Sequence, residues 1–162
     1  MICFSVIDRC NWDCDYCIAG TQRRYNKDKP ALTEEKFKKM LKDLEETSYK
    51  LATNPKSVGS DNNSLVLSGG EPGLLSTEEI LQVIHRIHPN VELTVNTNGL
   101  FLQKIDRKIF ELMIHKFKAF NIRWHLFEDS SCILESPLPG INIAKKFYEY
   151  QDYLTFIEFQ ML

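Results

Sequence analysis

Residues 64–99 read SLVLSGGEPGLLSTEEILQVIHRIHPNVELTVNTNG, and this stretch decides the fold. Ser64 to Ser68 is a short β-prone run that stops at Gly69-Gly70-Glu71-Pro72, where two glycines and a proline break regular structure. Ser76, with Glu79 three residues on, is a capping box. Ile80, Val83, Ile84 and Ile87 then recur at helical spacing. Pro89-Asn90 ends that helix. Val91 to Thr97 forms the next strand and stops at Asn98-Gly99. Strand, helix and strand in this order are a βαβ unit with two parallel strands in one sheet.

The pattern extends both ways. Ile2 to Ile7 reads as the first strand. Thr33 caps a helix carrying Phe37, Met40, Leu41 and Leu44 on one face, with Glu34–Lys38 and Glu35–Lys39 pairs on the other. Thr53 to Asn63, rich in Pro, Gly, Ser and Asn, reads as a mobile connector. Asp106 opens a helix with Ile109, Phe110, Met113 and Phe117 facing inward. Ile122 to Phe127 is the fourth strand, residues 128–140 a loop, Ile143 to Tyr150 a fourth helix, and Leu154 to Met161 the fifth strand. The chain reads as one α/β domain over residues 1–162 with a parallel sheet of about five strands.

The chain has 162 residues, 43% hydrophobic and 26% charged, with 20 basic and 22 acidic side chains and a net charge of −2. These values fit a globular domain and exclude a disordered, collagen-like or coiled-coil chain. The charge balance gives no sign of a nucleic-acid binder. No apolar run is long enough to span a membrane, and the short N-terminal apolar run lacks a signal peptide's basic leader. A cytoplasmic protein is expected.

Each strand has one wetter parity: Cys3 and Ser5; Ser64 and Ser68; Thr94, Asn96 and Asn98; Arg123 and His125; Glu158 and Gln160. Polar side chains along one face point to a curved sheet with a polar concave side. Right-handed crossovers bring all strand C-terminal ends to one edge, where sites in such sheets collect. The loop after the first strand, Gly69 to Pro72, Thr97 to Gly99 and Phe127-Glu128 all fall there.

The five cysteines are Cys3, Cys10, Cys14, Cys17 and Cys132. An odd number, three of them clustered, disfavours a disulfide framework and favours metal chemistry in a reducing compartment. Three thiols in Cys10-Asn11-Trp12-Asp13-Cys14-Asp15-Tyr16-Cys17 suit an iron–sulfur cluster or zinc. A [4Fe–4S] cluster wants four ligands, and this loop supplies three. An open iron is then free for a substrate or cofactor. For zinc, Cys14 and Cys17 form one CxxC pair, but no histidine stands at a partner's spacing.

Together these features resemble the radical S-adenosylmethionine (SAM) superfamily. The resemblance rests on CxxxCxxC after the first strand (Cys10, Cys14, Cys17) with aromatic Tyr16 before the last cysteine. It also rests on GGEP after the second strand (Gly69, Gly70, Glu71, Pro72) and TNG after the third (Thr97, Asn98, Gly99). It implies an incomplete parallel (βα) partial barrel. It implies that Cys10, Cys14 and Cys17 hold a [4Fe–4S] cluster whose fourth iron binds SAM. Reductive cleavage of SAM would yield a 5′-deoxyadenosyl radical that takes hydrogen from a substrate. Tyr16 is expected against the adenine. Gly69 and Gly70 are expected to let the backbone approach the methionine moiety, Glu71 to accept from its ammonium, and Pro72 to stiffen the turn. Thr97 and Asn98 are expected to line the pocket, with His125 as a further polar contact. The reductant implied is a flavodoxin or ferredoxin.

The family core has six βα units and this sequence supplies five, so a minimal member or a shortened chain is expected. A laterally open barrel suits a peptide or protein substrate, as in glycyl-radical activating or peptide-modifying members. The alternatives are a compact small-molecule enzyme of the 7-carboxy-7-deazaguanine synthase type and a non-catalytic iron–sulfur or zinc module. Arg23, Arg24, Lys27 and Lys29 read as a surface for an acidic substrate or electron donor, or as a solvated loop. Cys132 reads as a hydrogen-atom donor or a buried small side chain.

Overall fold

The computed structural model describes residues 1–11, 32–126, 152 and 156–161. Strand β1 (Ile2–Ile7) leads the chain. Helix α1 (Glu34–Thr53) and a 3-10 turn (Pro55–Val58) precede β2 (Ser64–Gly69). A second 3-10 turn (Pro72–Leu74) and α2 (Thr77–Arg86) lead to β3 (Glu92–Thr97). Then follow α3 (Leu100–Lys104), α4 (Arg107–Lys116), β4 (Ala119–Leu126) and β5 (Ile157–Met161). The five strands lie in the order β1-β2-β3-β4-β5, and every neighbouring pair is parallel. Strands added in sequence order by crossovers of one hand put successive helices on the same face. Such a singly wound sheet is a barrel left open, the fold class expected from the sequence.

The core shows this one-sidedness. Leu65, Leu67, Leu93, Val95, Phe120, Ile122 and Trp124 of the sheet join Phe37, Leu41 and Leu44 of α1, Ile80, Val83 and Ile84 of α2, and Phe110 and Met113 of α4 in one buried cluster. Along β3, buried Leu93, Val95 and Thr97 alternate with half-exposed Glu92, Thr94 and Asn96. On the opposite face, Cys3 and Ser5 are exposed, and Thr94, Asn96, Asn121 and Arg123 are half-buried. The polar parity of the sequence is therefore the face that the described helices leave uncovered, with buried Val66 its apolar exception.

The helix starts follow the capping chemistry. Glu79 N–H donates to Ser76 Oγ at 3.2 Å and Ser76 N–H to Glu79 Oε2 at 2.8 Å, which closes the capping box. Thr33 and Asp106 accept from the backbone of Lys36 and Ile109. Lys116 of α4 crosses to the end of α2 and donates to the carbonyls of Ile84 and His85 at 2.6 and 3.1 Å, satisfying groups a helix end leaves open. Burial pulls the Lys116 ammonium below its usual pKa. Ser76→Ala is expected to cost about 1 kcal/mol, read as a lower urea midpoint with an unchanged slope.

Three elements differ from the sequence expectation. The connector after Thr53 is a folded turn: Pro55 starts a 3-10 helix and Gly59 closes it at φ 72°. Buried Ser60 there accepts from the Met1 ammonium at 2.6 Å. Strand β4 begins at Ala119, three residues before the Ile122 expected, because Lys118 N–H already bonds the Pro89 carbonyl at 2.9 Å. Helix α3 follows Gly99 where a plain turn was expected. The expected helix Ile143 to Tyr150, the basic run Arg23 to Lys29 and Cys132 lie outside the described residues.

Candidate functional site

The site forms where the C-terminal ends of β1, β2 and β3 meet. β1 carries a register shift between Ser5 and Ile7, so Val6 and Ile7 are both buried. A bulge of this kind re-aims the chain that follows. Here that chain is Asp8 to Asn11, the approach to the cysteine loop. It runs beside the glycine loop: Gly70 N–H donates to the Ile7 carbonyl at 2.5 Å and Glu71 N–H to the Arg9 carbonyl at 3.0 Å.

This approach needs both glycines. Gly69 sits at φ 108°, a left-handed backbone that disfavours side chains. At Gly70 a Cβ would collide with the Arg9 carbonyl. The close approach seen at these positions is made by the chain's own first strand and the residues after it. Gly70→Ala is expected to cost about 3 kcal/mol or to separate the two loops, because the obstacle is backbone. Thermal unfolding of the variant measures this.

Glu71 holds the arrangement together. Its carboxylate is 1% exposed. Oε1 accepts from Thr97 Oγ1 at 2.7 Å, Gly73 N–H at 2.8 Å and Phe101 N–H at 3.1 Å, and Oε2 accepts from Asn98 N–H at 2.7 Å. Burial pushes this carboxyl above its ordinary pKa, and the donors of Asn98, Thr97, Gly73 and Phe101 pull against it. Three of these donors crowd Oε1, whereas Oε2 takes one and keeps an acceptor position. Glu71 binds the β2 loop to the β3 loop and starts α3.

Thr97 and Asn98 are buried. Gly99 N–H donates to Thr97 Oγ1 at 3.0 Å and Leu100 N–H to Asn98 Oδ1 at 3.2 Å. Gly99 has φ 101° and lies so close to the Trp124 indole that a Cβ would reach 2.6 Å from its Nε1. Asn98 Nδ2 donates to Asn11 Oδ1 at 2.8 Å, which ties the end of β1 to the end of β3. Pro72 is buried as the first residue of its 3-10 turn. Cys10 is half-buried and precedes Asn11 in this cluster.

The structure thus brings together Cys10, Gly69, Gly70, Glu71, Pro72, Thr97 and Asn98. Cys14, Tyr16 and Cys17 lie outside the described residues. His125 is placed on β4 opposite Gln160 of β5. Sequence reasoning missed Asn11, 2% exposed and bonded across 87 residues to Asn98. Its only signal was its position beside Cys10, which a thiol pattern does not read.

Beyond the loops, the uncovered sheet face offers a polar floor. Ser5 pairs with Ser68, Asn96 with Arg123, and Arg123 with Glu158. Arg123 Nε donates to Glu158 Oε2 at 3.3 Å, and Asn121 Nδ2 reaches the same oxygen at 3.4 Å.

The sequence profile of the Radical SAM superfamily matches residues 4–135, most of the chain. The chain belongs to the radical SAM superfamily. A curated relative, the GTP 3′,8-cyclase of Nautilia profundicola (strain ATCC BAA-1463 / DSM 18972 / AmH), is 26% identical over 106 residues. That match covers 65% of this chain but 29% of the relative. No solved structure matches. Members of the radical SAM superfamily use a [4Fe–4S] cluster and SAM. The described residues fit these groups: a half-buried thiol, Cys10, follows β1 beside two loops locked by Glu71, and the buried Nδ2 of Asn11 has no hydrogen-bond partner among the described residues. No helix among the described residues is long and apolar enough to cross a membrane.

Proposed function

We propose that the chain is the catalytic core of a radical SAM enzyme that takes a hydrogen atom from a peptide or protein substrate. The observation that carries the reading is the meeting of three strand ends at Glu71, whose buried carboxylate joins the β2 and β3 loops while its amide and Asn98 hold the segment after β1 that carries Cys10. Cys10, Cys14 and Cys17 hold the [4Fe–4S] cluster, and SAM binds among Tyr16, the loop Gly69 to Pro72, Thr97, Asn98 and His125. Bound together and given one electron from a flavodoxin or ferredoxin, cluster and SAM supply methionine and the 5′-deoxyadenosyl radical.

The protein's own share is positioning. The Gly70 and Glu71 amides hold Ile7 and Arg9, on the approach to the cysteine loop, against the loop after β2. The Glu71 carboxylate fixes the SAM-facing turn of β3. The polar floor of Asn96, Arg123 and Glu158 receives the substrate, and the sheet's open side admits an extended chain. Such chemistry belongs in the reducing cytoplasm.

The reading is tested by EPR of the reduced, reconstituted protein. Adding SAM is expected to change the cluster spectrum, because SAM ligates the open iron. An unchanged spectrum would contradict the assigned pocket. GTP, the substrate in the relative's name, is the small-molecule comparison. Turnover of GTP with none of peptides would replace the peptide reading.

A further inference from the structure

Asn11 has one amide group satisfied and one left over. The chain of bonds that fixes this starts at a backbone group with only one role. Leu100 N–H is a donor, so the Asn98 atom facing it is Oδ1. That leaves Asn98 Nδ2 as the donor toward Asn11, which must present Oδ1 in return at 2.8 Å. The orientation of the Asn11 amide follows, and its Nδ2 lies on the other side. This nitrogen is buried and has no hydrogen-bond partner among the described residues. The residue as a whole is 2% exposed, so bulk water does not serve it. A buried amide donor without an acceptor is costly, and such groups are rare unless something fills the role.

The covalent neighbour of Asn11 is Cys10, the first thiol of the triplet. Sulfur in a cluster or in a ligating thiolate accepts hydrogen bonds. Each such bond stabilises the more negative, reduced state and raises the reduction potential. We infer that Asn11 Nδ2 donates to a sulfur of the cluster or to the Cys10 thiolate, and that Asn11 is a positioning residue that tunes the cluster's potential. Asn98 and, behind it, Glu71 hold the amide in the required orientation. The inference rests on the radical SAM reading and names a role for one residue within it.

The test uses the whole chain, reconstituted anaerobically with iron and sulfide, without SAM. Iron and sulfide content of the wild type comes first, and a wild type that assembles no cluster defeats the underlying reading. With a cluster formed, EPR-monitored redox titration compares wild type with Asn11→Leu, which has similar volume and no donor. The midpoint is expected to fall by about tenfold in the one-electron equilibrium, ~59 mV. An Asn11→Leu potential equal to the wild type's overturns the inference, because a merely structural role predicts a less stable loop at an unchanged potential. If Asn11→Leu fails to hold a cluster, the reduced wild type decides. With the asparagine side-chain nitrogen isotopically labelled, pulsed EPR is expected to show its coupling to the cluster, and no coupling overturns the inference.

Discussion

Cys14→Ala is expected to abolish SAM cleavage and to leave the chain without a stable [4Fe–4S] cluster. The loop offers three thiols, and in the proposed site each holds one iron while the fourth iron is kept for SAM. Removing one thiol opens a second coordination position, so the cluster is lost or degraded to a form with fewer irons. The effect should be complete within detection, because no described residue stands by as a replacement. Cys3 is on the exposed start of β1, at the opposite end of that strand from the site. Cys3→Ala is therefore the matched control and should retain iron, sulfide and activity. Iron and sulfide analysis with EPR measures both variants. A zinc-binding chain would show zinc in place of iron in the wild type, and would lose it in Cys14→Ala without any cluster signal.

Glu71→Gln is expected to cost about 3 kcal/mol of stability and to loosen the turn after β3, proposed above to line the SAM pocket. The carboxylate oxygens accept from Asn98 N–H at 2.7 Å on one side and from three donors on the other. A glutamine can satisfy one side, and its NH₂ then faces an N–H donor on the other. Urea unfolding of the two chains measures the difference.

Much of this was legible before any coordinates. The strand ends were visible because Gly69-Gly70, Pro72 and Asn98-Gly99 cannot continue a strand. The helix starts were visible in Ser76-x-x-Glu79, Thr33 and Asp106. The one-sided sheet was visible in the parity of Thr94 and Asn96 against Leu93 and Val95. What was not legible depends on contacts between distant segments. The part Glu71 plays in joining the β2 and β3 loops shows only when Thr97, Asn98 and Phe101, 26 to 30 residues away, are seen to surround it. Helix α3 was missed because its first free N–H groups are capped by Asn98 and by that distant Glu71, not by a local Ser or Asp. The bulge in β1 leaves no mark in Ser5-Val6-Ile7, since consecutive apolar residues also fit a regular strand. Asn11 gains its meaning only from its bond to Asn98.

The central claim is that this chain cleaves SAM by one-electron reduction. The direct measurement is 5′-deoxyadenosine, quantified by mass spectrometry after anaerobic reconstitution with iron and sulfide, reduction, and addition of SAM. 5′-Deoxyadenosine is expected from the wild type and none from Cys14→Ala treated identically. A wild type that carries an intact, reducible cluster yet forms no 5′-deoxyadenosine and shows no EPR change with SAM would contradict it.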